Sequence, residues 1–399
     1  MLFEIIIALS AGILAGIIAG LIPGIHTNLI GVSLVPSLLF LGFQIEPIYL
    51  IVFVASMAIT QTFVDFIPSI FLGAPEDGTE LSILPGHQLL KKGGGFQAVV
   101  LACYGSLSAI IILGIISVPF IFLRQDFLNS VYNKIIVIIP SLLILSSLYL
   151  ISNEKRKISA FFVFALSGIL GLFVLNMSSI EQALLPLLTG LFGSSTLIMS
   201  IKDKSTIPKQ KTSMPERKLL RPVLGALIAS PLCGFLPGLG GGQAAMIGNS
   251  VFKTDTRGFL VLLGTTNTLV MGISFIALYL ISKTRTGAAV IIREVMGNLD
   301  KNLFLLIIGV SLLVGMLSFI LTIKIAKIIS ENIRKINYTY LSVIVLIFLA
   351  VLVTIISGFM GLMVFIISTI TGIYSISLNV RRTNMMGCLI VPTIFLYLT

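Results

Sequence analysis

Residues 338–356 carry no charged side chain; apart from Tyr, Thr and Ser they are Val, Ile, Leu, Phe and Ala. Such a run cannot face water on all sides. Its length is close to the roughly 20 residues a helix needs to cross a bilayer. Similar runs fall at 5–22, 48–72, 96–123, 131–151, 159–175, 182–201, 258–281, 303–328 and 359–378. A transmembrane β-barrel would show alternating segments of about 10 residues. These runs are apolar throughout, so they read as helices. Of the 399 residues, 57% are hydrophobic and 10% charged, against about 45–50% and about 25% in soluble domains. Too few charges remain to coat a globule. This excludes a soluble enzyme, a disordered chain and a nucleic-acid partner. The expected fold class is an all-α polytopic membrane protein.

The net charge is +11. The basic residues sit mostly in short loops, as the positive-inside bias produces. A field that draws an anionic substrate is the second reading. Cys103, Cys233 and Cys388 lie in apolar runs without CxxC spacing, so neither a disulfide framework nor a metal site is expected. His26 and His87 are far apart in sequence and do not suggest a metal cluster. Residues 1–7 carry Glu4 and no basic group, so they read as the first helix rather than a signal peptide.

The order of elements repeats. Gly20-Leu21-Ile22-Pro23-Gly24-Ile25 returns as Gly234-Phe235-Leu236-Pro237-Gly238-Leu239, at the same ordinal place in each half. Two repeats, 1–201 and 222–399, are joined by a basic linker, 202–221, that contains Pro208 and Pro215. Lys155, Arg156, Lys157 and the linker mark cytoplasmic loops, and Lys91 and Lys92 put the start of 96–123 inside. Lys324, Lys327, Arg334 and Lys335 put the end of 303–328 inside, so this counterpart of 96–123 runs the opposite way. Arg381 and Arg382 mark another inside loop and leave the C-terminus outside. The expected plan is an inverted-topology repeat. If both arms of each Pro-Gly pair span, there are about fourteen spanning helices. The shortness of 29–41 and 239–252 favours re-entrant hairpins and about ten.

Three matched pairs of polar features carry the candidate chemistry. The Pro23-Gly24 and Pro237-Gly238 breaks would open half-helices whose first residues are His26, Thr27 and Asn28 on one side and Gly240, Gly241, Gly242 and Gln243 on the other. Broken backbone at membrane depth lines a cavity or is buried in protein. Helix N-termini beside small residues suit a carboxylate or phosphate; tight packing through glycines is the alternative. The second pair is 73–95, with Glu76, Asp77 and Glu80, and 282–302, where Arg285 could hold a carboxylate in bidentate fashion. An ordinary solvated loop is the alternative there. In the third pair, Thr60, Gln61, Thr62 and Asp65 have Thr265, Thr266, Asn267 and Thr268 as their second-half counterpart. An intramembrane carboxylate is costly and marks function by default. Thr60, Gln61, Asp65, Thr265 and Thr266 are the candidates for a coupling ion, Na⁺ or H⁺. Asn267 joins the substrate group. Hydroxyls and amides also hold helices together. No Walker, HExxH or G-x-S-x-G motif occurs, so neither catalysis nor a cofactor is expected.

These stretches resemble the large permease subunit of the tripartite tricarboxylate transporters, in its shorter archaeal-like form. The resemblance rests on the two Gly-x-x-Pro-Gly hairpins, on Leu84-Pro85-Gly86 through Lys91-Lys92-Gly93 to Ala98, on Ser69-Ile70-Phe71-Leu72, and on Asn267-Thr268 through Thr286-Gly287-Ala288-Ala289-Val290. Pro85 stands where the family has Asp. Phe63-Val64-Asp65 stands where it has Gly-Gly-Ser, and His26 where it has a small residue. The resemblance implies cation-coupled uptake of carboxylates with a small membrane subunit and an extracytoplasmic binding protein; a homodimer stays open. Pro237-Gly238-Leu239-Gly240-Gly241-Gly242 is also similar to a membrane family proposed to return polyprenyl phosphate across the bilayer. A secondary transporter for an organic anion is the expected function. A lipid-phosphate translocase, an anion channel and a structural membrane protein remain alternatives. Cysteine labelling should find positions 155 and 211 cytoplasmic and 399 outside; labelling of 399 and 211 from the same side would sink the inverted repeat.

Overall fold

The computed structural model describes residues 2–22, 46–74, 79–121, 137, 140–141, 143–152, 154–177, 179–180, 182–202, 207–216, 218–235, 241–284, 286–297, 299–333 and 338–398. Among the described residues every regular element is helical. The first half contains α1 (Leu2–Leu21), α2 (Pro47–Phe71), α3 (Ile83–Lys91), α4 (Gly95–Phe120), α5 (Leu143–Ser152), α6 (Lys157–Leu175) and α7 (Leu184–Lys202). The second contains α8 (Leu220–Phe235), α9 (Gly241–Val251), α10 (Thr256–Ile281), α11 (Gly287–Met296), α12 (Lys301–Asn332), α13 (Tyr338–Ser377) and α14 (Gly387–Leu398). Eight helices among the described residues are long and apolar enough to cross a membrane. The chain is a polytopic helical membrane protein.

Local chemistry sets the helix ends. Pro47 supplies the fixed φ of a first helical residue. Asp255 accepts from the Gly258 amide at 2.7 Å and Asp300 from Leu303 at 2.8 Å, each satisfying one otherwise unbonded N–H. Ser282 ends α10 in the left-handed region. Gly358, at φ 67°, breaks α13 into two arms, where the sequence reading separates 338–356 from 359–378. Stretches 73–95 and 282–302 are more than loops. Each contains a short helix, α3 and α11, with Thr286 accepting from the Ala289 amide at α11's start.

Two helices form the centre. In their most apolar stretches 89% of α2 and 83% of α10 is buried, against 22% of α1 and of α13. The outer two therefore keep an apolar face for lipid. α10 packs along α4, and their main chains touch: a methyl added at Gly264 would lie 2.0 Å from the Ala102 carbonyl oxygen, and one at Gly105 2.0 Å from that of Val261. The Ser106 hydroxyl donates to the Gly264 carbonyl across the same contact, at 3.1 Å. α1 lies along α2 through Gly12, Gly16 and Gly20, spaced every four residues on one face.

The halves interlock. α2 packs against α11 and α12, α10 against α3 and α4, α6 against α14, and α7 against α13. Part of the linker is strapped across the start of α4. The Gln210 side chain accepts from the Gly95 amide at 2.8 Å and donates to the Leu90 carbonyl at 3.1 Å, and the Lys211 amide donates to Gly93 at 2.7 Å.

Gly264→Ala should lower stability by about 1–3 kcal/mol, because a main-chain neighbour cannot rotate aside. Gly309 in α12 has no heavy atom within 4 Å of an added methyl. Gly309→Ala should leave the melting temperature in detergent unchanged or slightly raised. Equal effects would remove the α4–α10 contact from its central role.

Candidate functional site

The polar residues singled out on α2 and α10 meet in the protein interior. The Asn267 amide donates to Asp65 Oδ2 at 3.0 Å and lies 3.4 Å from the Thr62 carbonyl oxygen. The Thr268 hydroxyl donates to the Thr62 hydroxyl at 3.0 Å, and Thr62 donates to the Ile59 carbonyl at 2.8 Å. Ser318, on α12, donates to the Thr60 hydroxyl at 3.0 Å. Asp65 is 4% exposed, and Thr60, Gln61 and Thr62 are buried with it. Asp65 is the turn residue that divides α2 into its two helical pieces. The seam therefore gathers a carboxylate and several hydroxyls, hard oxygen groups of the kind small cations bind, with the Asn267 amide donating to the carboxylate.

The remaining sequence candidates divide. The Thr265 and Thr266 hydroxyls turn back onto their own helix, to the Val261 and Leu263 carbonyls at 2.8 and 3.0 Å. Gly241, Gly242 and Gln243 open α9 and are buried. Pro23, Gly24, His26, Thr27, Asn28, Pro237, Gly238, Gly240 and Arg285 lie outside the described residues, as do Glu76 and Asp77. Ser318 was missed: a lone serine in an apolar run has no distinguishing signal until α12 is seen against α2.

A family model described as the tripartite tricarboxylate transporter TctA family matches residues 6–387. The chain belongs to this family. An uncharacterized protein of Methanocaldococcus jannaschii, MJ1079, is 33% identical over 354 residues, covering 87% of this chain and 88% of that protein. No solved structure matches. For a TctA-family chain the polar seam has a plain meaning at the level of class: it lies inside the helical core of a transporter's membrane subunit, away from lipid.

Asn267→Leu should cost about 1.5–3 kcal/mol, because it strips a buried carboxylate of an amide donor. Thr266→Val loses only a hydroxyl bond to its own helix and should cost about 1 kcal/mol or less. Thermal unfolding of the two variants in detergent compares them, and the reverse order would show that the Asn267–Asp65 bond contributes little.

Proposed function

We propose that the chain is the permease subunit of a secondary uptake system for an organic anion, a di- or tricarboxylate, driven by Na⁺ or H⁺. The observation that carries the reading is a TctA-family chain with a buried carboxylate at the crossing of its two most buried helices. Such a carboxylate binds a cation or a proton and alternates between the two states as a coupling group does. Thr60, Gln61 and Asp65 form its coupling-ion group; Thr265 and Thr266, whose hydroxyls bond their own helix, drop out of it. The half-helix starts after Pro23-Gly24 and Pro237-Gly238 take the anion, with His26, Thr27 and Asn28 on one side, Gly240, Gly241, Gly242 and Gln243 on the other, and Asn267 and Arg285 beside them.

The two halves act as inverted repeats around these sites. The packing supports that plan. In the sequence correspondence α2 matches α10, α3 matches α11, and α4 matches α12. The contacts of α2 with α11 and α12 are thus mirrored by those of α10 with α3 and α4. A small membrane subunit and an extracytoplasmic binding protein complete the system. The loops at Lys155 and the linker face the cytoplasm, and the C-terminus faces outward.

Uptake of labelled citrate or succinate into proteoliposomes should saturate and should require an imposed Na⁺ or H⁺ gradient. Asp65→Asn should lower gradient-driven uptake at least about tenfold while gradient-free exchange of the anion persists. Non-saturating, uncoupled flux would make the protein a channel, and full gradient-driven uptake by Asp65→Asn would remove the carboxylate from coupling.

A further inference from the structure

A cavity of about 510 Å³ opens at the end of the molecule where the turns at 154–156, 253–255 and 381–383 meet. Its rim is exposed and polar: Gln88 of α3, Lys253, Asp255 and Arg381. Its wall includes Glu154, Phe192 and Arg382. The charges around it are unequally matched. Glu154 is engaged by the Arg381 Nε at 3.5 Å and by the Asn384 amide at 3.2 Å. Asp255 caps α10 from the solvent-exposed rim, next to Lys253. Arg382 is 8% exposed, and among the described residues no carboxylate lies within ion-pairing distance of it.

The Arg382 guanidinium is held on one edge only. Nη1 donates to the Phe192 carbonyl at 3.0 Å and to the Thr196 hydroxyl. Both acceptors belong to the π-helical turn of α7, Thr189–Ser194, and the residues just after it. π-turns expose carbonyls that a regular helix would use and recur at functional sites. Nη2 and Nε make no hydrogen bond among the described residues. His87 adds no second charge. Burial first, then Arg382 and Lys91, hold its pKa down to about 3, so it is neutral at physiological pH. A buried cation without a counter-ion is expensive, and this one lines a cavity open to water.

We propose that this cavity is an anion site, with a carboxylate of a small di- or tricarboxylate on the open edge of Arg382 and a second within reach of Lys253 at the rim. The proposal rests on the permease reading above and names where that permease holds its anion at one mouth. The planar guanidinium suits bidentate capture of a carboxylate. A volume of about 510 Å³ has room for several carbons beyond one such group.

Isothermal titration of the full-length protein in neutral detergent tests it, with citrate, succinate and uncharged triethyl citrate as probes. Citrate or succinate should bind and triethyl citrate should not. Arg382→Gln should weaken binding at least about tenfold. Arg382 also braces α7, so Asn249→Asp provides a second variant. Asn249 lines the same cavity, and its Oδ1 accepts from the Thr254 amide and hydroxyl, bonds a carboxylate can keep. The added negative charge should weaken citrate binding about tenfold or more, and it decides the matter if Arg382→Gln fails to fold. Wild-type affinity in every variant that folds overturns the site, as does no binding of either acid up to about 10 mM. Displacement of bound citrate by phosphatidic acid vesicles but not by excess succinate would assign the cavity to a lipid headgroup and also overturn it. Proteoliposome uptake is scored separately. Binding that depends on Arg382 without gradient-driven uptake counts against the permease reading alone. Uptake that survives with this binding absent counts against the site alone.

Discussion

Where Gly264 meets the Ala102 carbonyl and Gly105 meets that of Val261, two helices touch through their main chains, and the bundle is arranged around that contact. Between helices in a bilayer there is no water to expel, so association depends on close packing and on a few polar bonds. Glycine allows the approach because it puts no Cβ between the two backbones. The approach in turn brings α2, which packs on α10, α11 and α12, close enough for short side chains to bond across helices. The Thr62–Thr268 and Thr60–Ser318 bonds, both at 3.0 Å, tie α2 to α10 and to α12 in the same bundle.

Buried charge is handled in three ways. Asp65 receives an amide from a helix of the other half. Glu154 sits at 9% exposure between a guanidinium and the Asn384 amide. Arg382 is fastened through Nη1 to uncharged acceptors on α7 and lines a cavity open to water. Of the three, among the described residues, only Glu154 meets a charge of opposite sign. Asp65 and Arg382 are held by uncharged groups. The acceptors of Arg382 lie in and just after the π-helical turn of α7, which packs closely on α13 through Gly190.

Much of the helical plan was legible in the sequence because hydrophobic run length and the Gly and Pro breaks are strong, local signals. The runs at 48–72, 258–281 and 359–378 correspond closely to α2, α10 and the second arm of α13. The polar stretches of Asp65 and Asn267 stood out as counterparts in the repeat, but their direct bond did not, because ordinal correspondence says nothing of contact. What escaped was information carried by tertiary surroundings. α3 sits in a stretch rich in Gly, Pro and charge and α11 in a charged one, and both look like loops until neighbouring helices bury one side of them. Arg382 looked like half of a basic pair marking a loop, since sequence does not distinguish a solvated arginine from one folded inward. Residues 207–216 read as a spacer, yet Gln210 is 7% exposed and seals the start of α4. A glutamine in a basic, Pro-containing segment offers no cue to that role.

The Asn267–Asp65 bond joins residues 202 positions apart, with the linker in between. A ribosome delivers α2 to the membrane long before α10 has been made. During that interval the carboxylate has yet to receive its amide, and the glycines of α4 have no α10 backbone to meet. Pairs such as α1 and α2 can close as soon as both are made, but the polar seam and the α4–α10 contact can be completed only after α10 has emerged.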